Sequence, residues 1–156
     1  MVAKGRRSDG FTLIELMVVV LVIGILAAIA IPTFLGFRER SQNTTAKTDL
    51  KTAEAAARQV LLDEGTLPDQ ATLLALLPSV EPALGWVGEN VPSTASRQIS
   101  IADDAAGTEL NLASRSDSGT CFYLRVVKDA PSTTHRDDAA DPCVAMDYRG
   151  GPDTGW

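Results

Sequence analysis

The 156-residue sequence predicts an α+β fold. One long N-terminal helix, over about residues 11–64, carries a small C-terminal antiparallel β-sheet head packed on its second half. Three observations predict it. Residues 11–37 are almost wholly apolar, residues 46–64 repeat apolar side chains at spacings near three and four, and residues 98–128 hold three short segments of strand character divided by turns. The same patterning divides the chain into a short basic stretch at 1–10, an apolar segment at 11–37 and a polar, acidic remainder at 38–156, which the arguments below read as leader, membrane-spanning segment and extracytoplasmic head.

The apolar segment comes first. From Leu16 to Ile31 no side chain is polar or charged, and extending to Phe11–Phe37 adds only Thr12, Glu15 and Thr33. About twenty apolar residues at ~1.5 Å rise match the thickness of a bilayer core. Lys4, Arg6 and Arg7 precede the run, so the positive-inside rule puts the N-terminus in the cytoplasm and the rest outside. A secretory signal peptide has a shorter apolar core followed by a small-residue cut site, which Ala27, Ala28 and Ala30 could mimic. A lipoprotein signal is excluded, because no cysteine lies near the run. A plain signal anchor explains the run but not its details.

Those details are Gly10, Phe11 and Glu15. A carboxylate costs about 2.5–3.5 kcal/mol at the centre of a membrane helix and less near its edge, so an acid there implies a function and a partner. No Lys or Arg of the same helix lies within reach of Glu15. A cut after Gly10 would create a cation, the new α-amino group of Phe11. Pairing within one chain is awkward, since Phe11 and Glu15 are one turn apart. The amine of one copy pairs more readily with Glu15 of a neighbour shifted along the axis, which sets register as buried polar groups do in coiled coils.

The stretch Gly10-Phe11-Thr12-Leu13-Ile14-Glu15-Leu16-Met17-Val18-Val19, continued through Ile23-Gly24-Ile25-Leu26-Ala27-Ala28-Ile29-Ala30-Ile31-Pro32, resembles the class III signal of type IV pilins and pseudopilins. The resemblance covers about a fifth of the chain. It implies a pilin-like fold, leader cleavage between Gly10 and Phe11 by a prepilin peptidase, N-methylation of Phe11, and assembly through Phe11 and Glu15. It also implies that the helix between Gly24 and Pro32 loses order on assembly; each of these residues weakens a helix in its own right. The implied partners are other copies of the chain or other pilins, a membrane assembly platform with its ATPase motor, and the lipid bilayer before assembly. No nucleotide-binding motif is present, so the motor is a separate protein.

The remaining elements follow in order. Ala46, Leu50, Ala53, Ala57, Val60 or Leu61, and Glu64 mark one face of a helix, with Lys47, Asp49, Lys51, Glu54 and Arg58 mostly on the others. Gly65 reads as its C-cap and Pro68 follows. Asp69 caps a second short helix that Pro78 ends after Leu77. Residues 78–96 read as a connecting loop. Gln98–Ala102, Glu109–Ala113 and Cys121–Lys128 read as a three-stranded antiparallel meander. Residues 129–142 read as a polar loop, Val144–Met146 as a short edge segment, and Gly150–Trp156 as a loosely held tail.

Composition excludes several functions. The formal net charge is −6; loss of residues 1–10 removes three positive charges and one negative, and leaves −8. Such a surface disfavours nonspecific nucleic-acid binding. Cys121 and Cys143 form no C-x-x-C pattern. In an exported domain they read as one disulfide, and in a cytosolic one as two buried thiols. Asp137, Asp138 and Asp141 lack calcium-loop spacing, so no metal site is assigned. Asn43-Thr44-Thr45 fits a glycosylation sequon of low specificity. His135 reads as a solvated loop residue, and Trp86 and Trp156 as packing residues or exposed singletons. No catalytic set, cofactor motif or direct nucleotide site stands out, so the chain reads as a non-enzymatic filament subunit located in the cytoplasmic membrane and then at the cell surface. A pseudopilin of a secretion or competence system is the alternative, and a membrane-anchored enzyme or receptor the remote one.

Overall fold

The computed structural model describes residues 11–104, 106–137, 142–148 and 155. Its first element, α1, runs unbroken from Leu13 to Glu64 and includes Pro32. The chain divides into two units, one ending at Arg38 and one beginning at Glu39.

In the first unit the helix has nothing of its own to bury. Every described residue up to Phe37 is exposed except the half-buried Ala27. In the second unit the same helix buries Ala46, Asp49, Leu50, Ala53, Ala56, Ala57, Val60 and Leu61, a stripe of mostly small side chains that lets the sheet approach closely. Gly65 ends α1 with φ +75°, and its N–H donates to the Leu61 carbonyl at 2.9 Å, the left-handed cap that glycine adopts without strain.

After α1 come α2 (Gln70–Val80), β1 (Gly85–Val87), β2 (Gln98–Asp103), β3 (Glu109–Arg115), β4 (Cys121–Val127), β5 (Ala130–Asp137) and a 3-10 turn (Ala145–Tyr148). The strands form one sheet in the order β1-β2-β3-β4-β5, antiparallel except for the parallel β1–β2 pair. Side chains alternate across it. Ile99, Ile101, Leu110, Leu112, Phe122, Leu124 and Val126 join the α1 stripe, Leu73 and Leu77 in the main core. Ala102, Ala113, Cys121 and Tyr123 point the other way and meet Cys143 and Ala145 in a smaller core. The Lys47 ammonium lies 5.2 Å from the centre of the Phe122 ring at the edge of the main core.

The long helix with an antiparallel sheet on its second half stands as expected, and so do the three central strands. Five details differ. The helix begins at Leu13 rather than Phe11, because Thr12 is its cap. Residues 85–87, expected in a loop, pair with β2 through bonds that include Gly85 N–H to Arg97 O at 2.8 Å; three residues are too few to show a period. Residues 130–137, expected in a polar loop, form an edge strand paired with β4. There Pro131 is tolerated because one side of an edge strand needs no donor. α2 runs past Pro78 to Val80, held by buried Leu77, by the Glu81 N–H on Leu77 O (2.8 Å) and by the Ser79 hydroxyl on Leu76 O (2.6 Å). The segment around Val144–Met146 is a 3-10 turn, its Ala145 N–H bound to Ser100 Oγ at 3.1 Å, and not a strand edge.

The β2–β3 turn locks onto the α1–α2 connection. Gly107 O accepts from Leu67 N–H (3.3 Å) and Thr66 Oγ1 (3.2 Å). A Cβ at Gly107 would stand 2.8 Å from Leu67 O, so glycine is required there.

Candidate functional site

The candidate site is the N-terminal half of α1. Gly10, the expected cleavage residue, lies outside the described residues, as do Asp138, Asp141, Trp156 and most of the expected tail. Phe11 is 77% exposed and precedes the helix. Thr12 caps it: Oγ1 accepts the Glu15 N–H at 3.3 Å, and its carbonyl accepts the Leu16 N–H at 3.3 Å. Glu15 sits exposed in the first turn, where the positive end of the helix dipole favours a carboxylate. The spacing Thr12-x-x-Glu15 is a helix-start signature, and it was the available signal for the true start of α1.

Around Glu15 and on to Pro32 the other side chains of the helix are apolar on all sides. Leu13, Ile14, Leu16, Met17, Val20, Leu21, Ile23, Leu26 and Ile29 are each more than half exposed. Among the described residues α1 is the one helix long and apolar enough to cross a membrane. Around Gly24 a Cβ would meet nothing within 4 Å, so this glycine opens no close approach within the chain. Residues 24–32 are helical here, through Pro32. Thr33 Oγ1 reaches back to Ala30 O at 2.8 Å and to Ile29 O at 3.3 Å.

In the second unit Cys121 and Cys143 are joined in a disulfide, with Cα atoms 5.7 Å apart and 22 positions apart in sequence. Both are fully buried, and Cys143 O accepts the Ser93 N–H at 2.9 Å. The bond ties the start of β4 to the segment that covers the outer sheet face.

Two acids of α1 lie further inside than the charge pattern indicates. Asp49 is buried and accepts the Arg97 N–H at 3.2 Å. Burial pushes its carboxyl above the ordinary value, against the opposing pull of Arg97. Arg97 holds a left-handed φ of 64° to make this bond and the bond to β1. Glu54 collects Lys51 Nζ (3.1 Å), Arg58 Nε (3.1 Å) and Ser132 Oγ (2.5 Å). Burial pushes its carboxyl up, and the donors from Ser132, Lys51 and Arg58 outweigh that and hold it below the ordinary value. This network fastens β5 to α1.

A polar cleft of about 140 Å³ lies beside residues 41–49, lined by Ser41, Thr45, Asp49, Ser96 and Arg115 among others. Among the described residues no group of three or more His, Cys, Asp or Glu gathers to hold a metal. Asn43 lies within α1 with Oδ1 bound to Ser118 Oγ at 2.6 Å. The backbones of His135 and Asp137 belong to β5, which replaces the expected loop. Trp86 is half-buried against the main core and donates from Nε1 to Glu81 O at 3.2 Å.

With this geometry in place, the family described as Prokaryotic N-terminal methylation motif matches residues 5–31. The N-terminal segment is thus similar to that family, and the chain is similar to type IV pilins and fimbrial proteins and to a type II secretion protein. It is 47% identical over 72 residues to the type IV major pilin protein PilA of Myxococcus xanthus, covering 46% of this chain and 33% of that one. It is 46% identical over 104 residues to a fimbrial protein of Pseudomonas aeruginosa, covering 66% of this chain and 65% of that one. It is 36% identical over 82 residues to the type II secretion system core protein G of Pectobacterium carotovorum, covering 51% and 53%. The chain thus spans between a third and two thirds of the length of these relatives. No solved structure matches it.

Proposed function

We propose that the chain is the precursor of a structural, non-enzymatic subunit of a type IV pilus-like filament. Its first ten residues are a leader removed after Gly10, and Phe11 becomes the methylated N-terminus. Residues 11–37 anchor the subunit in the cytoplasmic membrane with the N-terminus inside, and residues 38–156 form the head on the far side. The observation that carries this reading is an apolar helical segment, exposed except for half-buried Ala27, with a single carboxylate, Glu15, in its first turn. Such a helix is stable in lipid or against copies of itself, and in water it is not. Each Å² of apolar surface left in water costs about 25 cal/mol, so removal from the membrane must be coupled to burial by neighbours. A platform and an ATPase motor supply that coupling. Glu15 of one subunit pairs with the Phe11 amine of the next and fixes their register, while residues 24–32 loosen between Gly24 and Pro32.

The test is Glu15→Gln. The variant is expected to insert and to be processed, while filament yield falls about a hundredfold, the scale set by leaving one partner of a buried ion pair uncompensated. Normal assembly by Glu15→Gln would overturn the reading.

The likeness to type II secretion core protein G supports a second reading, a pseudopilin. Its discriminator is abundance: a pseudopilin stays in the membrane fraction, whereas a pilin dominates material sheared from the cell surface.

A further inference from the structure

Pro32 and Thr33 stand side by side in the apolar stretch of α1. Pro32 has no N–H, so the Ala28 carbonyl lacks the donor that residue 32 of a regular helix supplies. The helix nevertheless continues through this point. One residue on, the Thr33 hydroxyl donates to Ala30 O at 2.8 Å and lies 3.3 Å from Ile29 O. It is therefore shared between the carbonyls three and four residues back, the two positions a helical threonine can serve.

The same back-bond occurs at Thr44, Thr45, Thr48 and Thr52. Those residues lie in the second unit among polar neighbours, where water can replace a lost bond. Thr33 differs in its surroundings. Ile29, Ala30, Ile31, Phe34 and Leu35 flank it, all apolar and exposed. In a hydrocarbon medium a carbonyl that loses its N–H finds no water, and backbone broken by proline is tolerated where hydroxyls of Ser or Thr satisfy the freed groups.

We propose that Thr33 supports α1 beside Pro32, its hydroxyl the internal donor that keeps the carbonyls of Ile29 and Ala30 satisfied when residues 24–32 bend or unwind away from water. The inference rests on the filament reading for the occasion of that unwinding, and on the two hydrogen bonds for its chemistry. As the amides of residues 33 and 34 withdraw from Ile29 and Ala30, the hydroxyl stays with either carbonyl by a change of side-chain rotamer. Removing it makes the loosened state less accessible and leaves the membrane-inserted helix intact.

The test uses the full chain with two substitutions, Thr33→Val, which keeps the shape without the hydroxyl, and Thr33→Ser, which keeps the hydroxyl. Isotope-edited infrared spectra of the chain in phospholipid bilayers, with the Ala30 carbonyl labelled, read the bond directly. The labelled band is expected to move to higher frequency in Thr33→Val and to stay in place in Thr33→Ser. Filament yield is expected to fall about fivefold in Thr33→Val, roughly the worth of one net hydrogen bond in an equilibrium, and to recover in Thr33→Ser, with equal membrane levels throughout. An unmoved band, normal assembly by Thr33→Val, or an equal loss in both variants would overturn the proposal. Absence of filaments from the unsubstituted chain would sink the filament reading separately, and the band shift would still decide the bond.

Discussion

Residues 16–31 and 46–61 are sixteen-residue stretches of the same helix with opposite fates. The first is wholly apolar and almost entirely exposed; the second is mixed in composition and buries a full stripe. Leu21 is 64% exposed, whereas Leu50 is completely buried. Hydrophobicity alone therefore does not decide burial inside a chain. The second stretch has an apolar sheet face to pack on, and its alanines let that face come close. The first packs on none of the described residues, and the proposed function gives it lipid or further copies as its partner.

The comparison is broken most sharply by truncating one leucine in each stretch. Leu50→Ala is expected to destabilise the head by about 2–5 kcal/mol, as core leucine truncations do, and thermal unfolding measures it. Leu21→Ala is expected to leave the melting temperature of the head unchanged and to lower filament yield. A lower melting temperature in Leu21→Ala would mean that the first stretch packs on its own chain after all.

The disulfide gives a somewhat smaller effect confined to the second unit. Replacing Cys121 and Cys143 together by Ser is expected to cost about 3 kcal/mol in the chain-entropy account of a loop of this length. Membrane insertion of residues 11–37 is expected to be unaffected, and fractionation checks it.

The smallest effects are the pH dependences of the two inward acids of α1. Glu54 has a folded value below its unfolded one, so its stabilisation is present above the unfolded carboxylate range and is lost as pH falls through the folded value. Asp49 is raised, so its ionised form is a burden at neutral pH that acid relieves as pH falls through the raised value. Glu54→Gln is expected to lower the melting temperature at pH 7 and to lose the part of the acid sensitivity that Glu54 causes. Asp49→Asn is expected to raise the melting temperature slightly at pH 7, because Asn still accepts from the Arg97 N–H without the cost of a buried charge. Melting curves between pH 3 and 7 separate the two.

What the sequence revealed follows from where the determinants lie. Strands β2 and β3 were legible from their alternation of apolar and polar residues, and β4 from its richness in Phe, Tyr and Val. β5 was not: Ala130-Pro131-Ser132-Thr133-Thr134 has the composition of a loop, and its pairing comes from the exposed edge of β4 and from Ser132 bound to Glu54 and Arg58. β1 is too short to carry a pattern and exists because Arg97 takes a left-handed conformation beside Asp49. α2 passed Pro78 because buried Leu77, the Glu81 N–H on Leu77 O and the Ser79 hydroxyl on Leu76 O hold its last turn, and these tertiary and capping contacts leave no mark in the sequence pattern. Phe11, Glu15, Gly24 and Pro32 were singled out by their types and their order along an apolar run; the structure places them at the start of α1 and within it, and their roles in processing and assembly are proposals. Thr33 was visible as one of two hydroxyls in that run, but its bonds to Ala30 and Ile29 depend on a helix that continues through the proline.

The central claim is that the apolar half of α1 is kept after cleavage and buried between copies of the chain. The most direct test is the N-terminal sequence and mass of the protein recovered from sheared cell surfaces. Polymers whose subunits begin at methylated Phe11 are the predicted result. Subunits beginning at Met1, or cut near Ala30 so that the apolar half is lost, would contradict it.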